Sequence, residues 1–212
     1  MLGIDDDEFI RGKIPMTKRE IRILTLANAN IGEKDIVVDI GAGTGSISIE
    51  AALLAKGGHV YALERKLEGV NLIEKNAEKF SVKNITIINA EAPDGLSKIP
   101  KVDVAIIGGS GGFLEEILTT VDKKIDAGGR IVFNCITIQT LAKALTWLKT
   151  HKEYKYEIVQ VQISRFKNLG SYDMAEALNP VHILTAVKMQ RFHAPNVINF
   201  FAKFERKIEF EL

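Results

Sequence analysis

The sequence is poor in the residues that build crosslinked, zinc-binding or membrane-spanning proteins. Its single cysteine, Cys135, excludes an internal disulfide framework and any cysteine-based zinc site. No segment approaches the roughly 20 consecutive apolar residues that a membrane-spanning helix needs. The first residues carry the acidic run Asp5–Glu8, whereas a secretory signal has a basic start followed by an apolar stretch. We therefore expect a cytoplasmic protein.

An excess of one charge sign is also missing. The 212 residues include 28 Lys and Arg against 27 Asp and Glu, so the formal net charge is +1. A protein that binds nucleic acid mainly by neutralising phosphates usually carries a larger basic excess. Hydrophobic residues make up 46% of the chain and charged residues 26%, which is typical of a globular domain. The composition predicts neither a nucleic-acid nor a membrane partner.

Apolar runs of strand length alternate with amphipathic stretches of helix length. Continuous apolar runs indicate strands buried on both faces, and the alternation indicates right-handed crossovers between parallel strands. The predicted strands are Ile36–Ile40, Val60–Leu63, Ile85–Ile88, Val102–Ile107 and Arg130–Phe133. The predicted helices are Thr17–Ala29, Thr44–Lys56, Leu67–Phe80, Phe113–Ile125 and one with its core at Leu141–Leu148. This order predicts an α/β fold with a doubly wound, mostly parallel sheet.

The pattern changes after Thr150. Two longer strands, Tyr156–Ile163 and Val181–Lys188, follow without a helix between them, which predicts an antiparallel pair at one sheet edge. At the other end of the chain, Thr17 and Glu20 have the spacing of a capping box at a helix start. We expect one domain over residues 1–188 and an extension over residues 189–212.

The extension is rich in aromatic residues and holds five of the ten phenylalanines. Val197, Phe200, Phe201 and Phe204 share one face at helical spacing, and residues 208–212 alternate apolar and acidic as in a strand. The segment either covers the domain's own core or contacts another subunit, since exposed aromatic stripes mark interfaces.

A glycine-rich turn follows the first predicted strand. It runs Asp39-Ile40-Gly41-Ala42-Gly43-Thr44-Gly45, directly before the next helix. Glycines allow close approach of the backbone to a ligand, and the helix start offers free amides to an anion. The turn has no lysine, which excludes a P-loop, and Ser46 stands where the dinucleotide fingerprint has its third glycine. The turn resembles the S-adenosylmethionine loop of Rossmann-like class I methyltransferases.

Two further elements lie where an adenosine ligand would need them. Glu64 closes the second strand, and a carboxylate there can accept hydrogen bonds from both ribose hydroxyls. The alternative for Glu64 is a solvated charge at a strand end. The turn Asn89–Pro93 follows the third strand and would border the adenine, although it is also explained as an ordinary strand exit.

The turn after the fourth strand is Gly108-Gly109-Ser110-Gly111-Gly112. Base-methylating enzymes have an Asn/Asp-Pro-Pro-aromatic tetrad or a Pro-Cys there, and this chain has neither. Small residues leave room for a large flat ligand, although a flexible turn explains them as well. Cys135 is expected as a small core residue, no histidine pair has metal-ligand spacing, and no serine has a nucleophile pattern. We therefore expect no metal, and the catalytic residues stay unassigned.

Three stretches together resemble one family. They are Pro15–Arg22, Asp39–Ser46 and Ile107–Gly112, supported by Glu91–Pro93 and Asn179–Val181. Over about residues 5–188 the chain resembles the CbiT family, the decarboxylating cobalt-precorrin methyltransferases of cobalamin biosynthesis. The resemblance implies S-adenosylmethionine contacts from Thr17, Gly41, Ala42, Gly43, Thr44, Gly45, Glu64 and Ala92. Thr17 is then a helix cap, a cofactor contact or both.

The resemblance also implies the reaction. Carbon 15, a ring-bridging carbon of the tetrapyrrole, is methylated, and the acetate on carbon 12 loses carbon dioxide. The macrocycle can hold the electrons that decarboxylation releases, so no further cofactor is implied. The family assembles as a tetramer. Because the resemblance stops at Lys188, we favour a subunit contact for the extension.

A substrate with many carboxylates predicts a basic rim around the cleft. The candidate substrate contacts are Lys18, Arg19, Arg22, Arg165, Gly109 and Ser110. For each of the four cations, the alternative is a solvated surface charge.

Two other functions fit the same motifs. A methyltransferase that acts on RNA or on another small molecule would have the same cofactor loop, but the near-neutral charge and the missing tetrad count against nucleic acid. A nucleotide-binding module without catalysis would keep Gly41–Gly45 and Glu64 but would need no large cleft. Binding of S-adenosylmethionine compared with NAD separates these classes.

Overall fold

The computed structural model describes residues 2–190, so the predicted aromatic stripe and strand of the extension lie outside the described residues. The strands are β1 (Ile36–Ile40), β2 (His59–Glu64), β3 (Ile85–Asn89), β4 (Val102–Ile107), β5 (Ile125–Cys135), β6 (Tyr154–Val161), β7 (Ser164–Leu169), β8 (Tyr172–Ala177) and β9 (Val181–Lys188). The α-helices are α1 (Arg19–Ala29), α2 (Ser46–Leu54), α3 (Leu67–Lys79), α4 (Leu114–Asp122) and α5 (Ile138–Thr150).

Seven strands form one sheet in the order β3-β2-β1-β4-β5-β9-β6. β1 to β5 pair in parallel, and β9 lies antiparallel between β5 and β6. The predicted doubly wound, mostly parallel sheet with an antiparallel edge pair is confirmed. Since the carboxyl ends of parallel strands meet at one edge, the turns after β1, β2, β3 and β4 come together there.

Helices cover both faces of the sheet. On one face, α1 and α2 bury Leu26 and Ala51 against strand residues such as Val37. On the other face, α4 and α5 bury Ile117 and Leu148. Each such side chain contributes about 1.5–3 kcal/mol when fully buried. The strands are apolar on both sides for this reason, and their sequence pattern is continuous rather than alternating.

Cys135 lies at the end of β5 and is fully buried in the core that α4 and α5 cover. Burial raises the pKa of its thiol to about 11, so the thiol stays protonated at neutral pH. The interpretation of Cys135 as a small core residue is confirmed.

The capping box predicted at Thr17 and Glu20 is wrong. The chain is still extended at Lys18, the helix begins at Arg19, and no side chain caps its first turn. The Thr17 carbonyl instead accepts a hydrogen bond from Arg22 Nη1 at 2.8 Å, and the Glu20 carboxylate accepts from Arg165 at 2.7 Å. The Glu20 carboxylate is therefore paired with an arginine, and the Thr17 main chain with another, instead of forming the reciprocal cap.

The sequence analysis also missed a hairpin. β7 and β8 pair antiparallel between the two predicted edge strands and form a separate two-stranded sheet. Gly170, with φ +66°, lies in the turn that joins them. The two-residue Gly170-Ser171 turn between two short runs that contain aromatic residues is the signal that could have identified the hairpin.

A buried ion pair holds the N-terminal segment against the domain. Arg22 of α1 and Glu50 of α2 are both 0% exposed, and Arg22 Nε donates to Glu50 Oε1 at 2.5 Å. Glu50 also accepts from the amides of Gly3 at 2.7 Å and Ile4 at 3.2 Å. Arg22 in turn donates to the Ile4 carbonyl and to Asp6. The pair satisfies backbone groups that have no regular secondary structure.

A second buried carboxylate lies on β1. Asp39 is 1% exposed, and Ser48 Oγ of α2 donates to its Oδ2 at 2.5 Å. Burial raises the pKa of Asp39 from its ordinary value of 3.8 to about 6. The Ser48 hydrogen bond opposes this shift, and the negative charge of Glu64 adds to it. The charged form of Asp39 therefore costs free energy in the folded protein.

Glu50→Gln should strongly destabilise the protein, because it removes the nearer of the two carboxylates that pair with the buried Arg22 guanidinium. Removing one partner of a buried ion pair costs about 3–5 kcal/mol. The control is Glu8→Gln, since Glu8 is 63% exposed in its pair with Lys79 and such pairs contribute at most about 1 kcal/mol. Urea denaturation measures both variants, and equal midpoints for the two would contradict the prediction.

Asp39→Asn should stabilise the protein at neutral pH. The folded chain holds the Asp39 proton up to about pH 6, whereas the unfolded chain releases it near 3.8. The wild-type free energy of unfolding therefore falls as the pH rises through this interval and levels off above it. The variant has no ionisable group at this position, so it avoids this loss of stability, which is about 3 kcal/mol for a pKa shift of this size. Chemical denaturation across the interval should show the two stability curves diverging, and parallel curves would contradict the prediction.

Candidate functional site

A cavity of about 250 Å³ lies at the carboxyl ends of β1 to β4. Turns that are far apart in the sequence meet there because their strands are neighbours in the sheet. The lining residues are Ile14, Pro15, Ile40, Gly41, Gly43, Leu63, Glu64, Arg65, Lys66, Ala90, Glu91, Ala92, Gly108, Gly109, Ser110 and Gly111. We call this the cofactor cavity.

The glycine turn after β1 needs its glycines for two physical reasons. Gly41 has φ +75°, and a Cβ there would lie 2.9 Å from the Gly109 amide nitrogen, so a side chain would push the turns after β1 and β4 apart. Gly43 has φ +60°, and a Cβ there would lie 3.3 Å from the Pro15 carbonyl oxygen. Gly45 also has a left-handed backbone, with φ +79°, which explains why α2 begins at Ser46 and not at the predicted Thr44.

Glu64 is held in place by the same turn. It is 6% exposed, so the alternative of a solvated charge at a strand end is wrong. The Gly43 amide donates to Glu64 Oε2 at 2.9 Å, and the Lys66 amide donates to Oε1 at 2.8 Å. A carboxylate can accept about four hydrogen bonds, so each oxygen keeps capacity for a further donor. Because both oxygens are fixed, the carboxylate is oriented in advance to accept from a pair of hydroxyls.

The N-terminal segment forms one wall of the cavity through Ile14 and Pro15. Asn76 of α3 attaches this segment to the glycine turn. Its Oδ1 accepts from the Ile10 amide at 2.8 Å, and its Nδ2 lies 2.9 Å from the Thr44 carbonyl and 3.1 Å from the Ile10 carbonyl. Asn76 is fully buried, so the N-terminal wall and the glycine turn are joined through a single rigid side chain.

The turns after β2 and β3 supply the charged part of the wall. Arg65 Nη1 donates to Glu91 Oε1 at 2.8 Å, and the two side chains are 54% and 45% exposed. Arg65 and Lys66 were not identified from the sequence, although they directly follow Glu64. Ile40, Leu63 and Ala92 provide apolar surface in the same cavity, which suits a flat apolar ring.

The structure brings some of the sequence-predicted residues together at this cavity. Gly41, Gly43, Glu64 and Ala92 line it, as do Gly109 and Ser110. The remaining predicted cofactor residues, Thr17, Ala42, Thr44 and Gly45, are not among the lining residues. Thr44 is buried, and its hydroxyl has no hydrogen-bond partner within residues 2–190.

The predicted basic rim is not assembled as expected. Arg22 cannot contact a substrate in this structure because its side chain is fully buried against Glu50. Lys18, Arg19 and Arg165 lie together in a different surface cavity, where acidic residues of the N-terminal segment and Glu20 accompany them. Arg165 pairs with Glu20 at 2.7 Å, and this hydrogen bond is the main reason that the pKa of Glu20 is lowered.

The described residues offer no site for a metal ion. Among residues 2–190, no group of three or more His, Cys, Asp or Glu side chains could hold one. The described histidines have other partners. His59 forms a hydrogen bond with Thr86, His182 forms one with Gln160, and His151 stacks on Trp147 with the ring centroids 3.6 Å apart. No helix in this part of the chain is long and apolar enough to cross a membrane.

These features fit S-adenosylmethionine better than a nucleotide phosphate. The cavity combines a fixed carboxylate, apolar surface and a backbone cradle that a Cβ at Gly41 or Gly43 would fill. No lysine lies in the glycine turn to pair with phosphates. The residues present can thus hold an adenosine through its ribose hydroxyls.

Comparisons with known proteins agree with this geometry. A family model described as "Precorrin methyltransferase domain" matches residues 8–188. A relative from Sulfolobus acidocaldarius, named "Probable cobalt-precorrin-6B C(15)-methyltransferase (decarboxylating)", is 45% identical over 190 residues, or 88% of this chain and 97% of the relative. A relative from Sulfurisphaera tokodaii with the same name is 43% identical over 190 residues, which again cover 88% of this chain and 97% of the relative.

Solved structures give the same result. A precorrin-6y C5,15-methyltransferase from Geobacter metallireducens GS-15 has a TM-score of 0.83 at 43% identity, covering 88% of this chain and 98% of that one. An O-methyltransferase from Thermotoga maritima that depends on S-adenosylmethionine has a TM-score of 0.71 at 18% identity, covering 84% of this chain and 68% of that one. At this identity the likeness concerns the fold alone. The fold is therefore that of the class I methyltransferases, and the chain belongs to the precorrin methyltransferase family.

Proposed function

We propose that the chain transfers a methyl group from S-adenosylmethionine to carbon 15 of a cobalt-precorrin and decarboxylates the acetate arm on carbon 12, as a step of cobalamin biosynthesis. One observation carries the proposal. Glu64 is fixed by the Gly43 amide inside a cavity that the Gly108–Gly111 turn also lines. The names of the relatives from Sulfolobus acidocaldarius and Sulfurisphaera tokodaii support the substrate and the two steps.

Glu64 and the glycine turn would hold the cofactor. The Glu64 carboxylate would accept from the ribose hydroxyls, and the backbone from Gly41 to Gly45 would approach the rest of the molecule closely. Ala92 would contact the adenine edge, and Thr17 would approach from the N-terminal wall. When bound, S-adenosylmethionine supplies an electrophilic methyl group on a sulfur that is already a good leaving group.

The protein's own contribution to methyl transfer is alignment. Such a displacement needs the accepting carbon, the methyl group and the sulfur in line, and it needs water excluded. Ile14 and Pro15 cover the cavity from one side, while Gly109 and Ser110 let a flat substrate approach from the other. No acid or base is required of the chain, which agrees with the absence of a catalytic motif in the sequence.

The substrate's carboxylates need cations near the mouth of the cavity. Arg65 and Lys66 line it, so they take the role that the sequence analysis gave to Arg22. Gly109 and Ser110 remain proposed substrate contacts. Lys18, Arg19 and Arg165 would contact a substrate only where it extends to their separate cavity. The cytoplasm remains our expectation for where the reaction takes place.

Turnover with cobalt-precorrin-6B tests the function. The chain should form S-adenosylhomocysteine together with a methylated, decarboxylated product. Glu64→Ala should weaken S-adenosylmethionine binding, since two hydrogen bonds to a charged group are lost at about 1.5–3 kcal/mol each. Calorimetry measures this loss, and Glu74→Ala, at an exposed position of α3, should bind normally.

Three outcomes would contradict parts of this proposal. Unchanged affinity of Glu64→Ala would remove Glu64 from the site. Tighter binding of NAD than of S-adenosylmethionine would reject the methyltransferase in favour of a nucleotide-binding module. Normal cofactor binding with methyl transfer to RNA or to another small molecule, and none to the cobalt-precorrin, would replace the substrate.

We further propose that the chain forms a homo-oligomer, a tetramer by family resemblance. Large apolar side chains are exposed on the β7–β8 hairpin, with Phe166 at 72%, Tyr172 at 73% and Met174 at 56%. β6 is an edge strand of the main sheet and exposes Ile158 and Val159. An edge strand that has no further partner strand within residues 2–190, together with an exposed apolar hairpin, supports a second copy of the chain as the partner.

Replacing Tyr172 and Met174 together by serine should lower the mass of the oligomer in solution. Both side chains are exposed within the chain, so the substitutions should cost a single subunit little stability. Light scattering should give a multiple of the chain mass for the wild type and a smaller mass for the variant. A chain that ends at Lys188 tests the extension separately. A monomeric wild type would contradict the oligomer. An unchanged mass for the serine variant would show that the hairpin is not part of the interface, and an unchanged mass for the truncated chain would show the same for the extension.

A further inference from the structure

A second cavity, of about 130 Å³, lies beside the cofactor cavity. The ends of β4 and β5 and the first turn of α5 line it, and Gly108, Gly109 and Ser110 line both cavities. We call the second cavity the arm pocket. The lining residues that matter below are Ile107, Ser110, Phe133, Ile136, Thr137 and Thr140.

The arm pocket is too small for a macrocycle. At about 130 Å³ against about 250 Å³, it has roughly half the volume of the cofactor cavity. A short arm of a few heavy atoms, such as a carboxymethyl group, fits this space. The macrocycle itself must then lie outside, against exposed side chains at the mouth such as Ile136, which is 65% exposed.

Neutral groups supply the polar part of the lining: three hydroxyls and the side-chain amide of Asn134, whose buried Nδ2 has no hydrogen-bond partner within residues 2–190. Thr137 Oγ1 accepts from the Thr140 amide at 3.2 Å and lies 2.8 Å from Thr140 Oγ1. Whichever hydroxyl donates within this pair, the proton of the other has no acceptor among residues 2–190. Ser110 adds a third hydroxyl at the wall between the two cavities. The pocket can therefore donate hydrogen bonds to a ligand that accepts them.

Within residues 2–190 the pocket has no cation in its lining. Ile107, Phe133, Cys135 and Ile136 make its walls apolar, and none of the described lysines, arginines or histidines lines it. An arm that the enzyme only recognises would be expected to pair with arginine or lysine. A carboxylate held against these walls would lose part of its hydration without a charged partner from the described residues, which raises its free energy. Losing carbon dioxide disperses that charge and relieves the cost.

We propose that the arm pocket holds the acetate arm on carbon 12 while it is decarboxylated, an inference that rests on the function proposed above. Carbons 12 and 15 lie a few bonds apart on the macrocycle, so the methyl donor and the reacting arm must occupy neighbouring spaces. Two cavities that share the wall from Gly108 to Ser110 satisfy that condition.

The chemistry balances without another cofactor. The bond between the arm's CH₂ carbon and its carboxyl carbon breaks, and the electron pair of that bond enters the conjugated macrocycle. Carbon dioxide leaves, and a proton from solvent then adds to the former CH₂ carbon, which becomes a methyl group. The hydroxyls of Thr137 and Thr140 position the carboxylate and take no part in proton transfer.

The double variant Thr137→Val/Thr140→Val tests the pocket by binding because it removes both hydroxyl donors, and Thr146→Val is its control, because Thr146 is exposed on the same helix. Each protein, loaded with S-adenosylhomocysteine, is titrated with cobalt-precorrin-6B and with the decarboxylated product, following the absorbance of the macrocycle. The double variant should bind the substrate about tenfold more weakly and should bind the product as the wild type does, because the product lacks the carboxylate. An equal loss of affinity for substrate and product, or no loss for either, would overturn the proposal.

Ile136→Lys tests the missing cation, with Ile136→Leu as control. A lysine that pairs with the carboxylate should lower the carbon dioxide released per methyl group transferred by about tenfold, equivalent to about 1.4 kcal/mol. An unchanged ratio would also overturn the proposal. A wild-type protein that binds neither cobalt-precorrin would instead refute the proposed function, and the arm pocket with it.

Discussion

The buried pair of Arg22 and Glu50 is the interaction on which the cofactor cavity depends. Residues 2–18 form no α-helix or strand, so many of their backbone groups must be satisfied by side chains. Glu50, Asn76 and Glu68 accept from the amides of Gly3, Ile4, Ile10 and Lys13. Two charges are placed in the core for this purpose. Their desolvation is offset only because hydrogen bonds satisfy both of them.

The sheet adds a second constraint, because it collects carboxylates at the edge where ligands bind. Asp39 and Glu64 end neighbouring parallel strands, and the charge of Glu64 contributes to the raised pKa of Asp39. The two carboxylates have different roles. Asp39 is bound by Ser48 beneath the glycine turn, whereas Glu64 lines the cavity and is held by amides. Asp39 therefore attaches β1 to the first turn of α2, and Glu64 is the carboxylate that a ligand can contact.

The features that could be predicted from the sequence are those that local pattern determines. β1 to β4 and the glycine turn follow from short apolar runs and from backbone geometry that few residues allow. The partners of charged side chains could not be predicted, because they are distant in the chain. Arg165 meets Glu20 at a separation of 145 residues, and Arg22 meets Glu50 at 28. An arginine in a motif thus indicates a charge but not whether that charge faces a substrate or a buried carboxylate.

The contrast between the two cavities supports the proposal that one fold performs two reactions on one substrate. The cofactor cavity has a fixed carboxylate, two cations at its wall and backbone groups in close approach, which suit binding and alignment. The arm pocket has hydroxyls and apolar walls, which suit a charge that must be lost. Both surfaces meet at Gly108, Gly109 and Ser110, whose small size lets a macrocycle lie against the wall between them. The absence of side-chain bulk in this turn is therefore as important to the chemistry as any charged group.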